Sequence, residues 1–157
     1  MSRFIPSKII SGGQTGVDRA GLDFAMAFGI DHGGWCPAGR LSEDGTIPSR
    51  YGLQETDSPD YPVRTEQNIV DSDATLILNE GKIKGGTALT RKTCKRLEKP
   101  YLVVDLSAFD TDELTKWLGQ VKPNTLNVAG PRESGAPGIY ERALDFLHAA
   151  FADQGSG

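Results

Sequence analysis

The sequence predicts an α/β domain built as a three-layer sandwich, with a five-stranded, mainly parallel sheet between two layers of helices. Short apolar runs such as residues 74–78 alternate along the chain with longer segments of helical periodicity. These runs are continuously apolar, which is typical of parallel strands that are buried on both faces. Because crossovers between parallel strands are right-handed, the five strands favour the order 2-1-3-4-5, counted along the chain.

Size and composition limit the class of protein. The chain has 157 residues, 38% of them hydrophobic, so we expect one domain over residues 1–157, with an ordered core at about 7–151 and a frayed tail at 153–157. A net charge of -4 argues against nucleic-acid binding, which requires a basic face. No run approaches the roughly 18 apolar residues of a membrane span, and the first residues lack a secretory pattern. We therefore expect a cytoplasmic protein with no membrane partner.

The first strand, turn and helix carry the main functional signal. Residues 8–11 predict a short buried strand, and three glycines follow within residues 12–16. Apolar residues then recur every three to four positions, so a helix begins near Thr15, with Thr15 and Asp18 in the pattern that caps a helix. Exposed N–H groups and a helix N-terminus together predict an anion site, usually for phosphate. The alternative is a tight turn that binds nothing.

A short strand and a long irregular segment come next. Residues 33–37 predict a second strand that ends at Pro37. Residues 38–60 show no clear periodicity, and a connection of this length is usually a functional or mobile loop. Arg40 in this segment could reach an anionic ligand, although the segment could equally be a solvated surface loop.

A second glycine turn lies further along the chain. We expect a helix at 62–72, a buried strand at 74–78 and a glycine turn at 82–87 that opens a helix ending near Glu98, with Gly86 or Thr87 as its cap. Residues 80–99 hold seven basic and two acidic residues, an excess that fits an anion site. Most of the later basic residues are expected on a solvated helix face, whereas Lys82 and Lys84 flank the turn.

The last third of the chain completes the pattern. We expect a strand at 101–105, a helix at 112–118 capped by Thr111, and a strand at 125–129. A third glycine turn at 130–134 precedes the final helix, at 138–151. In the order 2-1-3-4-5, the first and third strands are neighbours, so the first two glycine turns converge on one crevice. The third turn lies further along the same edge of the sheet.

Seven motifs follow one another between residues 8 and 150: Gly12-Gly-Gln-Thr-Gly-Val-Asp-Arg-Ala20, Gly34-Trp-Cys-Pro-x-Gly-Arg40, Glu43-Asp-Gly-x-Ile-Pro48, Arg64-Thr-x-x-Asn68, Ser72-Asp73, Gly85-Gly-Thr-x-x-Thr90 and Gly130-Pro-Arg-Glu-Ser134. In order and spacing they resemble the putative molybdenum carrier family, the molybdenum cofactor carrier proteins. The resemblance implies a Rossmann-like fold and a homo-oligomer, a dimer or tetramer. It also implies binding of the molybdenum cofactor (molybdopterin), with molybdoenzymes as recipients, and kinship with the lysine-decarboxylase-like (LOG) phosphoribohydrolases.

The predicted ligand contacts are amides and hydroxyls of the two turns together with two cations. They are Ser11, Gly12, Gly13, Gln14, Thr15, Gly16, Arg40, Lys84, Gly85, Gly86, Thr87 and Thr90. Further candidate contacts are Asp18, Arg19, Cys36, Arg64, Asn68 and Arg132, the last of which could instead meet a neighbouring subunit. No protein ligand to a metal is expected, and Cys36 is weighed as a sulfur contact against an inert packed thiol.

The question of catalysis depends on residue 90. The related phosphoribohydrolases carry Pro-Gly-Gly-x-Gly-Thr-x-x-Glu, whose glutamate acts in cleaving the glycosidic bond, and Thr90 stands in its place here. A hydroxyl cannot stabilise an oxocarbenium ion as a carboxylate does. We therefore expect no catalytic residues and favour a binding or carrier protein for the molybdenum cofactor or a similar phosphorylated ligand. The alternative is a nucleotide-binding or nucleotide-processing protein built on the same anion site.

Overall fold

The centre of the fold is a parallel sheet of five strands. The structure, a computed structural model, describes residues 3–152, so the predicted tail at 153–157 lies outside the described residues. The strands are β1 (Lys8–Ile10), β2 (Asp31–Gly33), β7 (Ala74–Asn79), β8 (Tyr101–Asp105) and β9 (Thr125–Ala129), and their order is β2-β1-β9-β7-β8. The predicted α/β class with a parallel five-stranded sheet is confirmed.

The predicted strand order 2-1-3-4-5 is wrong. The last strand, β9, lies between β1 and β7, with Ile10 opposite Asn127 and Leu76 opposite Val128. Short apolar runs look alike in sequence, so their composition could not show which strand is central. If the strands are counted from β9, the order reads 3-2-1-4-5, which is the doubly wound order with the start of the chain moved to β1. The point of reversal therefore lies between β9 and β7.

Five α-helices cover the sheet: α1 (Val17–Phe28), α2 (Tyr61–Val70), α3 (Gly85–Arg96), α4 (Thr111–Val121) and α5 (Ile139–Phe151). Helix α5 packs against both α1 and α4, and α2 packs against α3. The larger apolar core lies under the first group, where the ring of Phe24 contacts those of His148 and Phe151, each at 5.1 Å between centroids. None of these helices in residues 3–152 is long and apolar enough to cross a membrane.

Three predicted helix caps differ in the structure. The N-cap of α1 is Gly16, without a side-chain hydrogen bond, because the Thr15 hydroxyl contacts Glu43 instead. The N-cap of α3 is Lys84 rather than Gly86 or Thr87. The N-cap of α4 is Asp110 rather than Thr111, and its carboxylate accepts hydrogen bonds from two backbone N–H groups of the first turn.

Residues 33–60 fold into two small sheets beside the main one. Strand β3 (Trp35–Cys36) pairs with β6 (Gln54–Glu55), and β4 (Leu41–Ser42) forms a hairpin with β5 (Gly45–Thr46). The single strand predicted at 33–37 is thus divided, because Gly34, at φ 125°, separates β2 from β3.

This segment has its own apolar cluster and a central cation. Leu22, Cys36, Ile47 and Tyr51 form a second buried cluster beneath it. Arg40 donates hydrogen bonds to the backbone carbonyls of Ile47, Leu53, Pro48 and Tyr51, at 2.9–3.5 Å. The segment is therefore a packed part of the domain, in which Arg40 bonds the backbone carbonyls that no strand pairing satisfies.

Candidate functional site

A cavity of about 750 Å³ opens where β9 and β7 end. Its walls come from the β7–α3 connection, the β9–α5 connection, the first turn of α2, and the side chains of Gln14 and Asp18. This is the point of reversal in the sheet, where open α/β folds bind their ligands. The volume lies within the range of roughly 300–1,000 Å³ that is typical of small-molecule sites.

The N-terminus of α3 forms a wall of this cavity in which backbone N–H groups are left without acceptors among the described residues. The first backbone N–H of the helix that is hydrogen-bonded belongs to Ala88, which donates to the Lys84 carbonyl at 3.3 Å. The N–H groups of Gly85, Gly86 and Thr87 have no acceptor within residues 3–152, and no side chain caps the helix. Such N–H groups bind anions and carry the positive end of the helix dipole. The ammonium groups of Lys82 and Lys84, which also line the cavity, add positive charge.

The first glycine turn contributes side chains rather than free amides. The N–H of Gly13 donates to Ser11 Oγ at 3.3 Å, that of Gln14 to Asp18 Oδ2 at 3.2 Å, and that of Thr15 to Gln14 Oε1 at 3.1 Å. The N–H of Val17 donates to the carbonyl of Pro131 at 3.2 Å. Two glycine turns do meet at one cavity, but the N–H groups of Gly13, Gln14, Thr15 and Val17 in the first are already hydrogen-bonded within the protein.

Gly12 was expected to contact the ligand, and the structure shows that it leaves room for a neighbouring side chain. A Cβ at this position would lie 2.4–2.8 Å from three atoms of the Arg64 guanidinium. The absence of a side chain therefore lets Arg64 lie flat across the turn. The Nη1 of Arg64 stands 3.6 Å from Asp18 Oδ2 and donates to Thr65 Oγ1 at 3.2 Å, whereas its buried Nε has no partner in the described part of the chain.

Asp18 and Arg64 form a charged pair beside the cavity. The Asp18 side chain is only 4% exposed, and burial raises the pKa of its carboxyl despite the opposing effects of Arg64 and of backbone hydrogen bonds. The aromatic ring of Tyr61 lies nearby, with the guanidinium of Arg64 at 5.5 Å and that of Arg132 at 5.7 Å from its centroid. A flat apolar surface flanked by two cations thus faces the same cavity.

The third glycine turn is a wall of the cavity and not a peripheral loop, because β9 lies at the centre of the sheet. Gly130 is required by packing, since a Cβ there would lie 2.2 Å from the Leu78 carbonyl oxygen. The Glu133 carboxylate accepts hydrogen bonds from the N–H groups of Gly138 and Tyr140, at 2.6 and 3.0 Å. Glu133 therefore satisfies the N-terminus of α5, while that of α3 stays open.

The structure divides the predicted site residues into two groups. The cavity is lined by Gln14, Asp18, Arg64, Lys84, Gly85, Gly86, Thr87, Thr90 and Arg132. Outside its lining are Ser11, Gly12, Gly13, Thr15, Gly16, Arg19, Arg40, Cys36 and Asn68, of which Gly12 and Asn68 border a small recess next to Arg64.

Several of the residues outside the cavity have structural partners. Arg19 pairs with Asp44 at 2.7 Å, and the Asn68 side-chain amide bonds both backbone polar groups of Trp35. Cys36 is buried in the second apolar cluster, where burial raises the pKa of its thiol. These contacts account for the positions of the three side chains without a ligand.

Sequence reasoning missed the largest aromatic group in the cavity, Tyr61, and most of the β9–α5 wall. Tyr61 precedes the proline at which the helix was expected to begin, so it fell between the predicted loop and the predicted helix. The β9–α5 residues Gly135 and Ala136 could have been found only with the central position of β9 in hand. That position depends on long-range pairing, for which the sequence carries no local signal.

Comparison with known proteins agrees with this geometry. The chain is similar to the crystal structure of a putative molybdenum carrier protein from Syntrophus aciditrophicus SB, with a TM-score of 0.91 and 44% identity over 97% of this chain and 98% of that chain. No match was found among curated proteins. The similarity to this putative molybdenum carrier structure confirms the resemblance seen in the motifs. A family model described as "Circularly permutated YpsA SLOG family" matches residues 9–151, in keeping with a doubly wound sheet whose chain begins at β1. The chain belongs to the circularly permutated YpsA (cpYpsA) family of SLOG proteins.

Proposed function

We propose that this protein binds a small phosphorylated ligand in the cavity between β9 and β7, and that the ligand is the molybdenum cofactor or a compound of similar shape and charge. The observation that carries the proposal is the N-terminus of α3, whose first three residues line the cavity beside Lys82 and Lys84 and donate no backbone hydrogen bond within residues 3–152. The similar structure from Syntrophus aciditrophicus, titled a putative molybdenum carrier protein, supports the choice of cofactor.

The cavity suits the separate parts of such a ligand. A terminal phosphate would accept hydrogen bonds from the amides of Gly85, Gly86 and Thr87, which satisfies both the helix end and the dianion. A planar pterin would lie against the Tyr61 ring, and oxo groups on the molybdenum would accept from arginine donors. No cluster of His, Cys, Asp or Glu side chains within residues 3–152 is placed to hold a metal ion. The protein would therefore hold the cofactor through its organic part and its oxo groups, as suits reversible carriage.

A nucleotide is the second candidate ligand, because a purine base and a pterin both match a flat aromatic wall next to a phosphate site. The family description and the Tyr61 ring favour it. Hydrolysis of the glycosidic bond is not part of the proposal. Thr90 lines the cavity, but its hydroxyl donates to the Gly86 carbonyl at 3.0 Å and supplies no carboxylate. Asp18 is buried and paired with Arg64. Neither Thr90 nor Asp18 therefore reproduces an exposed catalytic glutamate.

Titration calorimetry under anaerobic conditions tests the proposal. The ligands are the molybdenum cofactor, AMP, ADP, ATP and ribose 5-phosphate, each offered to the wild type, to Lys84→Gln and to Lys92→Gln. Lys92 is an exposed lysine of the same helix that does not line the cavity, so it serves as the matched control. We expect micromolar or tighter binding of the cofactor or a nucleotide, about tenfold weaker for Lys84→Gln and unchanged for Lys92→Gln. Failure of the wild type to bind any of these ligands would overturn the proposal.

The same proposal assigns partners. A carrier of the cofactor would transfer it to molybdoenzymes, and the carrier would act as a dimer or tetramer. Light scattering on the purified protein measures the oligomer, and reconstitution of a cofactor-free molybdoenzyme by the loaded protein measures the transfer. A monomer would contradict the first assignment, and transfer no faster than from free cofactor would contradict the second.

A further inference from the structure

The tip of the β4–β5 hairpin inserts two carboxylates among the loops that surround the cavity. Glu43 and Asp44 are the two residues that join the paired positions Ser42 and Gly45. The Asp44 carboxylate accepts from both terminal nitrogens of Arg19, at 2.7 and 2.9 Å, and this hydrogen bonding lowers its pKa to about 2. Asp44 therefore anchors the hairpin to α1, whereas the Glu43 side chain contacts other segments.

Glu43 joins the first glycine turn to the third. One carboxylate oxygen accepts from the Thr15 hydroxyl and from the Ser134 N–H, the latter at 3.1 Å, and the other accepts from the Ser134 hydroxyl. The Thr15 hydroxyl in turn accepts from the N–H of Glu133 at 3.1 Å. The backbone N–H of Glu43 donates to Gln14 Oε1 at 2.9 Å. One side chain thus connects three segments that are distant in sequence.

The loop that Glu43 holds is the one that carries Arg132 and forms the β9–α5 wall of the cavity. Arg132 is 47% exposed, and the distance from its guanidinium to Glu43 is 4.0 Å, at the limit of an ion pair. The arginine itself is therefore not locked by a short hydrogen bond to Glu43. Its position over Tyr61 depends on the backbone of the adjoining residues, of which Ser134 is held by Glu43.

We infer that Glu43 is a positioning residue for ligand binding, which fixes the β9–α5 loop so that Arg132 and Tyr61 present a preformed wall to the ligand. The inference rests on the proposed function. Its physical basis is preorganisation: a loop that is already ordered pays less conformational entropy when the ligand binds. A neutral amide in place of the carboxylate retains one acceptor oxygen for the three donors of Thr15 and Ser134, so the loop would lose its fixed position.

A double-mutant cycle separates positioning from a merely structural role. Glu43→Gln, Arg132→Gln and the double variant are titrated with AMP, or, if the wild type does not bind AMP, with the tightest binder among the molybdenum cofactor, ADP, ATP and ribose 5-phosphate. We expect affinity to fall about 3- to 10-fold for Glu43→Gln and about tenfold for Arg132→Gln, with the double variant no weaker than Arg132→Gln alone. Glu55→Gln is the control, because Glu55 also accepts a backbone N–H, from Gly39 at 2.6 Å, but this bond stays within residues 33–60 and does not reach the β9–α5 loop.

The outcomes distinguish this inference from the proposal on which it rests. Unchanged affinity for Glu43→Gln, or losses that multiply in the double variant, would overturn the positioning role while leaving the proposed function intact. A wild type that binds none of the ligands offered in the calorimetric test above would overturn the proposed function and this inference with it. If Glu43→Gln does not fold, Ser134→Ala removes one of the three donors to Glu43, the Ser134 hydroxyl, and is expected to weaken binding in the same direction and with the same lack of additivity to Arg132→Gln.

Discussion

Replacing Gly86 by aspartate should stabilise the fold and weaken ligand binding, two effects of opposite sign from one substitution. Gly86 lies in the first turn of α3 and lines the cavity. A Cβ at this position meets no atom within 4 Å, and the backbone is outside the left-handed region, so a side chain fits without strain. Gly13 is a poorer choice, because its φ is +78° and a Cβ would lie 2.6 Å from Leu53 Cδ1. A loss of binding at Gly13 would therefore report damage to the fold.

The expected magnitudes follow from the position at the helix N-terminus. Removing a helical glycine contributes about 0.5–1 kcal/mol to the free energy of unfolding, and a carboxylate in the first turn adds roughly 0.3–1 kcal/mol. The same carboxylate would stand about 5 Å from a bound phosphate, where two unit charges repel by roughly 3 kcal/mol at an effective dielectric constant of 20. Because Gly86 is exposed, we allow for solvent screening and expect a loss of about 2–3 kcal/mol, or roughly 30- to 150-fold in Kd.

Two measurements on the same sample check this prediction. Urea denaturation gives the free energy of unfolding, and calorimetric titration with the ligand that the wild type binds gives the Kd. Gly86→Asn is the matched control, since it has the same shape without the charge and should bind the ligand far better than Gly86→Asp does. Equal binding by Gly86→Asp and the wild type would refute the assignment of the phosphate to α3. A large loss of stability would refute the reading of the helix N-terminus as open.

Three further predictions concern Gly12 and Arg40, whose roles differ from those expected, and Glu43, to which the sequence assigned no role. Gly12→Ala should displace the Arg64 guanidinium and lower the free energy of unfolding in urea by about 1–3 kcal/mol, since a buried carboxylate loses its partner; an unaltered unfolding curve would contradict this. Arg40→Gln should lower the free energy of unfolding by about 2–4 kcal/mol in the same assay, because hydrogen bonds to backbone carbonyls are lost. Its ligand affinity in calorimetry should stay within twofold of wild type. A Kd raised tenfold in a folded variant would show that Arg40 contributes to the ligand site. Burial alone raises the pKa of Glu43, but hydrogen bonds from Ser134 and Thr15 lower it overall. The ionised Glu43 carboxylate therefore stabilises the fold at neutral pH, and this contribution is lost as the pH falls through the pKa of the folded state. Wild type should therefore exceed Glu43→Gln by about 1 kcal/mol at pH 7 in thermal or urea unfolding, and the gap should narrow on acidification below about pH 4; a gap independent of pH would contradict the assignment.

Local patterns predicted the five helices and four of the five strands of the main sheet well, and missed the short strands β4, β5 and β6. The strands at residues 101–105 and 125–129 have the predicted bounds, and the strand predicted at 74–78 extends by one residue to Asn79. Continuous apolar runs bounded by turn residues are strong signals because both faces of a central parallel sheet are dry. Helix caps were predicted less well, since several Ser, Thr and Asp side chains compete for the same role and tertiary contacts decide among them. Thr15, whose hydroxyl contacts Glu43, is the clearest case.

Long-range pairing was the part that local patterns could not supply. The strand order failed at β9, and the third glycine turn, which follows that central strand, was therefore expected further along the sheet than the cavity that it lines. Glycine alone does not distinguish an amide that binds an anion from a site of close packing. Gly86 faces open space, whereas Gly12 makes room for Arg64 and Gly130 for the Leu78 carbonyl. Arg40 illustrates the same limit, since a cation in an irregular segment serves backbone carbonyls as readily as a ligand.

The most direct test of the central claim is an amide ¹H–¹⁵N NMR titration of the 16.9 kDa protein with the ligand that it binds. If the open end of α3 holds the phosphate, the amide signals of Gly85, Gly86 and Thr87 should shift downfield and saturate together, while those of Gly13 and Thr15, already hydrogen-bonded within the protein, should change little. Large saturable shifts at Gly13 and Thr15 with none at the start of α3 would contradict the account.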